Sequence, residues 1–163
     1  ETEPVITDSV GDSTSPATDM VALDAARADD RMALLMEVDG DITMPHTPES
    51  SYSFYSVGMN IYTDSACDEE QNQGFVIAAH YTGQDGKTYH SLQNHIGATS
   101  ETETPKTETE VKGAGSYLET SFPIADLPSD TAAVTFDPFI STLDERLDSV
   151  DEEVERLCYP LTP

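Results

Sequence analysis

The chain has 163 residues, with 32 Asp plus Glu against 7 Lys plus Arg, a formal net charge of −25. That balance excludes nucleic acid, whose phosphates need Lys and Arg, and argues against anionic membrane surfaces. No apolar run approaches the roughly 18 residues of a membrane span, and the length suits one domain with a real core.

Residues 1–16 read as a polar N-terminal arm and acidic loop, with Asp8-Ser9-Val10-Gly11-Asp12 turning tightly at Gly11. Pro4-Val5-Ile6 in this arm could add a strand to a neighbour or simply fray. Residues 20–38 have the Ala, Leu, Met and Arg content of a helix. Yet Met32, Leu34, Met36 and Val38 alternate with Arg31, Ala33, Leu35 and Glu37, and Asp29-Asp30 makes a turn. The alternation predicts two strands in a hairpin. Residues 39–51, with Gly40, Pro45 and Pro48, read as a loop. Tyr55, Val57, Met59 and Ile61 share one face of a strand over 52–62. An acidic loop with Cys67 follows. Residues 75–81 and 87–95 then form a hairpin around Gly83-Gln84-Asp85-Gly86. The Thr/Glu run at 99–110 reads as a solvated loop. A β stretch runs from Val111 to Ile124, with Pro123 marking its end, and another strand covers 134–136. Near the C-terminus, Leu143, Leu147, Val150, Val154 and Leu157 are spaced four, three, four and three apart, and Thr142 with Glu145 forms a capping box. This predicts an amphipathic helix that docks on the domain body or seams to a partner.

The fold class expected is mainly β: a jelly-roll-like antiparallel β-sandwich over 17–140, with the helix and tail over 141–163 completing one domain. Hydrophobic content is only 37%, but its grouping into runs between Gly, Pro and Asp sets the chain apart from a disordered one. Cys67 and Cys158 match no zinc or redox spacing. They are either two buried thiols or a long-loop disulfide, and the extracellular cast of the composition favours the disulfide. The chain opens on Glu1 without a basic-plus-apolar leader, as expected of a mature or trimmed chain. Few lysines (Lys87, Lys106 and Lys112) with many Asp, Glu and Thr fit a halophilic microbe, and equally an ordinary acidic secreted protein that binds calcium.

The loop Asp8-Ser9-Val10-Gly11-Asp12, then Asp19-Met20-Val21, then the hairpin tipped by Asp29-Asp30, resembles the start of secreted sandwich domains that open with D-x-x-G-D. The resemblance continues through Asn60-Ile61-Tyr62-Thr63-Asp64 and Ser121-Phe122-Pro123-Ile124-Ala125-Asp126-Leu127, and spans residues 5 to 140. It implies a calcium-stabilised surface module similar to DOMON-type and carbohydrate-binding domains. The chain departs from that pattern at Tyr62, where an Asp is expected, and in the C-terminal helix.

Asp8, Asp12 and Asp19 gather carboxylates around flexible Gly11, and Asp64 with Asp68 would converge from a neighbouring loop. Oxygen ligands in that number suit calcium, as a stabilising ion. His80, His90 and His95 fall on one hairpin, which fits structural histidines better than a transition-metal site. Haem held by Met32, Met36, Met59 or His46 is the chemistry of the redox alternative, although alternating Met is normally core. No hydrolase, zincin, P-loop or dinucleotide motif is present, so no enzyme is expected. The reading is a non-catalytic secreted or cell-surface module of a surface layer, adhesin or filament. Its partners would be other protein subunits, with homo-oligomers among them, or surface polysaccharide. A carbohydrate-binding accessory module is the alternative, and a haem- or metal-binding redox module a lower one.

Overall fold

A computed structural model describes residues 4–42, 55–96, 102–112, 115–141, 146–150, 152 and 154–161. The chain folds into two antiparallel sheets, a mainly β arrangement compatible with a sandwich. The smaller sheet joins β1 (Ile6–Thr7), β2 (Met20–Ala28), β3 (Arg31–Val38), β10 (Tyr117–Pro123) and β9 (Glu110–Lys112), in that order. The larger runs β12 (Arg146–Ser149), β11 (Ala133–Ser141), β4 (Tyr55–Tyr62), β5 (Asn72–Thr82), β6 (Thr88–His95) and β7 (Thr102–Glu103). Two short strands complete it: β13 (Tyr159–Pro160) pairs with β11, and β8 (Thr107–Glu108) with β6.

Period-two alternation sets which residues meet between the sheets. Met32, Leu34, Met36 and Val38 of β3 and Tyr55, Val57, Met59 and Ile61 of β4 are all buried and belong to one core cluster with Phe122 and Phe136. The β2–β3 hairpin forms as its alternation predicts, and Asp29 takes the positive φ of 54° that the tight turn needs. Two polar side chains link elements across this core. The Tyr55 hydroxyl donates to the Ala17 carbonyl. His80 of β5 lies between the Tyr55 carbonyl, 2.9 Å from Nδ1, and the Thr120 hydroxyl of β10, which meets Nε2. A carbonyl only accepts, so Nδ1 carries the proton and Nε2 accepts from Thr120.

The C-terminal helix expected over 141–163 is not formed. Residues 146–149 are instead strand β12, with Phe139 opposite Ser149 and Ile140 opposite Asp148. Thr142, Leu143 and Glu145 lie outside the described residues. The spacing misleads because Val150 is buried while Leu157 is half exposed, so the apolar positions do not share one face. Pairing to the open edge of β11 outweighs a weak local helical preference. The tail is then held by side chains: Arg156 bonds the Val150 and Val154 carbonyls and pairs with Asp137 at 3.2 Å.

Part of the Thr/Glu run is also ordered, against the solvated-loop expectation. Residues 102–103 and 107–108 pair with β6, the Ser91 hydroxyl donates to Glu103 at 2.6 Å, and Thr109 is buried. All three lysines hold this segment. Lys87 pairs with Glu108 at 3.1 Å, Lys106 lies 4.2 Å over the Tyr89 ring, and Lys112 pairs with Glu119. The N-terminal arm does not fray: Ile6 is buried and pairs with Leu23 of β2, so the strand is added within the chain itself. Residues 1–3 lie outside the described residues, as do 97–101 of the Thr/Glu region.

Cys67 and Cys158 form the expected disulfide, with Cα atoms 5.7 Å apart and a sequence separation of 91. A loop of that length constrains the unfolded chain strongly. Reduction, or a Cys67→Ser/Cys158→Ser double variant, is expected to cost about 4 kcal/mol, read from urea midpoints with and without reductant. Phe122→Ala, which empties a fully buried site between the sheets, is expected to cost about 3–5 kcal/mol on the same scale.

Candidate functional site

The N-terminal turn is built around Gly11, whose φ of 93° favours glycine. Its N–H donates to Asp19 Oδ2 at 2.6 Å, so the turn folds back on the residue just before β2. A single 3₁₀ turn, Pro16–Thr18, follows, capped by the Ser15 side chain. The Asp39 N–H donates to the Asp19 carbonyl at 2.9 Å and the Gly40 N–H to the Pro16 carbonyl at 2.8 Å, which docks the turn on the end of β3.

Against this turn lies Asp148 of β12. Its Oδ2 accepts the Met20 N–H at 2.7 Å across 128 residues of sequence. Asp8, Asp12 and Asp148 each bring a carboxylate oxygen within 4.8 Å of the others. Asp12 also meets the Asp19 side chain. Four carboxylates therefore gather where the start of the chain crosses its end. Asp19 is almost fully buried, and its Oδ1 has no hydrogen-bond partner among the described residues. Such an atom is costly unless something positive meets it.

The electrostatics report the crowding. Burial, then repulsion from Asp12 and Asp8, raises the Asp148 carboxyl to about 6, against the opposing Met20 N–H. Loss of water, then Asp8 and contact with Asp19, raises Asp12 from its ordinary value. A group with a raised carboxyl pKa favours the fold below its unfolded value and loses that contribution as pH rises through about 6. At neutral pH the cluster therefore carries its full repulsion. Oxygen-only ligands of this charge suit a hard divalent cation.

Three of the five predicted ligands, Asp8, Asp12 and Asp19, come together. Asp64 and Asp68 do not join them. They sit in the β4–β5 loop beside Cys67, where Asp64 accepts the Ala66 and Asp68 amides and Asp68 caps Glu70. Sequence reasoning missed Asp148. Asp148 is not among the apolar positions of the expected helix, and pairing to β11 brings it into a buried position. Of the haem candidates, Met32, Met36 and Met59 are core residues, and His46 lies outside the described residues.

The histidines divide by face. His80 and His90 are directly opposite in the β5–β6 pair, both buried, with rings 5.9 Å apart. Both His80 ring nitrogens are engaged, so that ring has no nitrogen left over for a metal. His95 lies on the outer face, stacked on Phe75. No family model, curated protein or solved structure matches the chain.

Burial lowers His80 to about 3, with help from His90, and lowers His90 to about 4, with help from Arg31. Below the unfolded value near 6.5 the unfolded chain takes up protons that the fold refuses. Stability is therefore complete above that pH and is lost as pH falls toward 4. The Asp cluster opposes this trend, so the comparison needs a variant. His90→Gln is expected to lose less stability than the parent between pH 7 and pH 4.5, measured by urea denaturation at each pH.

Proposed function

We propose that the protein is a secreted or cell-surface module without catalytic activity. It acts as a structural or interaction unit of a surface layer, adhesin or filament, and its chain ends are fastened by a disulfide and a bound divalent cation. The jelly-roll-like kinship with DOMON-type modules, the halophilic setting and self-assembly with other copies belong to the same proposal.

The observation that carries it is the meeting of Asp8, Asp12 and Asp19 with Asp148 at the junction of the two chain ends. Asp19 adds a second observation, a buried oxygen without a hydrogen-bond partner among the described residues. A calcium ion there would replace repulsion with coordination and tie β12 to the N-terminal turn. The Cys67–Cys158 bridge supports an oxidising compartment and fastens the tail at a second point. A surface of excess carboxylates keeps such a unit soluble in salt.

Calcium chloride at fixed ionic strength is expected to raise the melting temperature saturably, by the equivalent of about 2.7 kcal/mol at a hundredfold excess over Kd. Asp148→Asn keeps an acceptor for the Met20 amide while removing a charge. It is expected to melt higher than the parent in chelator and to lose most of the calcium increment. A parent melting curve indifferent to calcium, magnesium and chelator would remove the cation from the proposal. For the assembly role, calcium-loaded protein is expected to form ordered polymers in negative-stain microscopy. A chain that stays monomeric at every concentration in sedimentation would contradict it.

A further inference from the structure

Residues 102–112 cross from one sheet to the other along a side of the molecule. Thr102–Glu103 and Thr107–Glu108 pair with β6 of the larger sheet, and Glu110–Lys112 pairs with β10 of the smaller. Thr109 joins the two: its N–H donates to the Thr88 carbonyl and its hydroxyl to the Glu119 carbonyl. This strap has almost no apolar anchor. Its apolar side chains are Pro105 and Val111, both exposed, and Thr109 is its one buried residue among those described. Hydrogen bonds and exposed lysine contacts hold the rest, and each contributes little against water. A segment held in this way opens at lower cost than the core strands.

Beside the strap sits His90. Thr107 stands directly opposite it in the pairing with β6, and the His90 ring turns inward, 5.9 Å from the His80 ring. His90 is 2% exposed, and its Nδ1 has no hydrogen-bond partner among the described residues. A ring nitrogen in that position is costly, and exposure would give it water as a partner. The charged groups acting on the ring are Arg31 of β3, which disfavours a second positive charge, and Asp126 after β10, which favours one. His80 is kept neutral and is engaged at both nitrogens. The strap sets no charge opposite the ring, because its Glu108 is paired with Tyr89 and its Glu103 with Gln93.

Closing the strap keeps His90 away from water, and burial first, then Arg31, holds it down at about 4. With the strap open, the ring meets water and returns to the ordinary value near 6.5. Between those values the open form binds a proton that the closed form refuses, so falling pH favours opening. Opening also strips β6 of its neighbour. The Leu92 carbonyl loses the Thr104 N–H, and the Leu92 N–H loses the Thr104 hydroxyl. The freed edge is a row of backbone groups able to pair with another strand.

We propose that residues 102–112 are an acid-opened strap, with His90 as its sensor and the edge of β6 as the surface it uncovers. The proposal rests on the interaction role above only for the use of that edge, and exchange at the strap reads the opening whether or not that role stands. The test is hydrogen exchange of the full chain at pH 7 and pH 5, followed by mass spectrometry, with each rate divided by the intrinsic rate of an unprotected amide at that pH. Protection over 102–112 and at Leu92 should fall about twentyfold, the ratio one proton gives for values near 6.5 open and about 4 closed. Protection of β4 and β5 should stay about tenfold or more above the strap's at both pH values, which marks a local opening. His90→Gln should flatten the strap's response. If that variant does not fold, NMR titration of the His90 ring in the parent decides, since the ring should titrate in step with the loss of strap protection. Strap protection that does not fall, that falls equally in His90→Gln, or that equals the protection of β4 and β5 would overturn the proposal. So would a strap that stays closed below the midpoint of the His90 ring.

Discussion

Mutual repulsion among carboxylates is the constraint this fold has to satisfy. With 25 net negative charges, every compact state brings like charges closer than an expanded chain would. The two sheets answer with a continuous core of Met, Leu, Val, Ile and aromatic side chains, buried along alternating faces. Most acids are left to a solvated surface, where salt screens them. The exception is the junction of the chain ends, where Asp19 and Asp148 are buried and Asp8 and Asp12 crowd against them. Gathering these carboxylates costs stability, and that is the cost the proposed cation would offset.

The few basic groups have corresponding duties. The lysines pin the Thr/Glu segment to β6 and β10, and Arg156 secures the tail between Asp137 and two carbonyls. Exposed pairs of this kind contribute little individually. Their value lies in position, because each holds a segment that the core cannot reach. Arg146 differs, as it lies over the Phe139 ring.

The core histidines show a second use of burial. His80 links the backbone of β4 to β10 of the other sheet through both ring nitrogens, and burial keeps its imidazole neutral. His90, directly opposite, is also kept neutral by burial. Of this pair, His80 forms a polar bridge inside an apolar layer. Its cost is sensitivity to acid, opposite in sign to that of the Asp cluster.

Local pattern was enough for the β2–β3 hairpin, the β4 face and the β5–β6 hairpin, because period-two alternation and turn residues act over neighbouring positions. The same holds for Asp8, Asp12 and Asp19, which one short turn around Gly11 gathers. The disulfide was legible from composition, since two lone cysteines in an extracellular-looking chain have each other as partner. Tertiary structure alone decided the rest. Leu147 and Val154 sit at helical spacing, yet β12 forms because the edge of β11 offers hydrogen bonds that a marginal isolated helix cannot match. That pairing brings Asp148 to a site 128 residues away, and no local rule encodes such a distance. The strap over 102–112 depends likewise on pairing with both sheets, Thr107 with His90 and Val111 with Leu118. The sequence by itself thus determined the class, the central strands and three of the four gathered carboxylates. Long-range strand pairing, which fixes register between distant segments, decided where the chain ends meet and which side chains face one another.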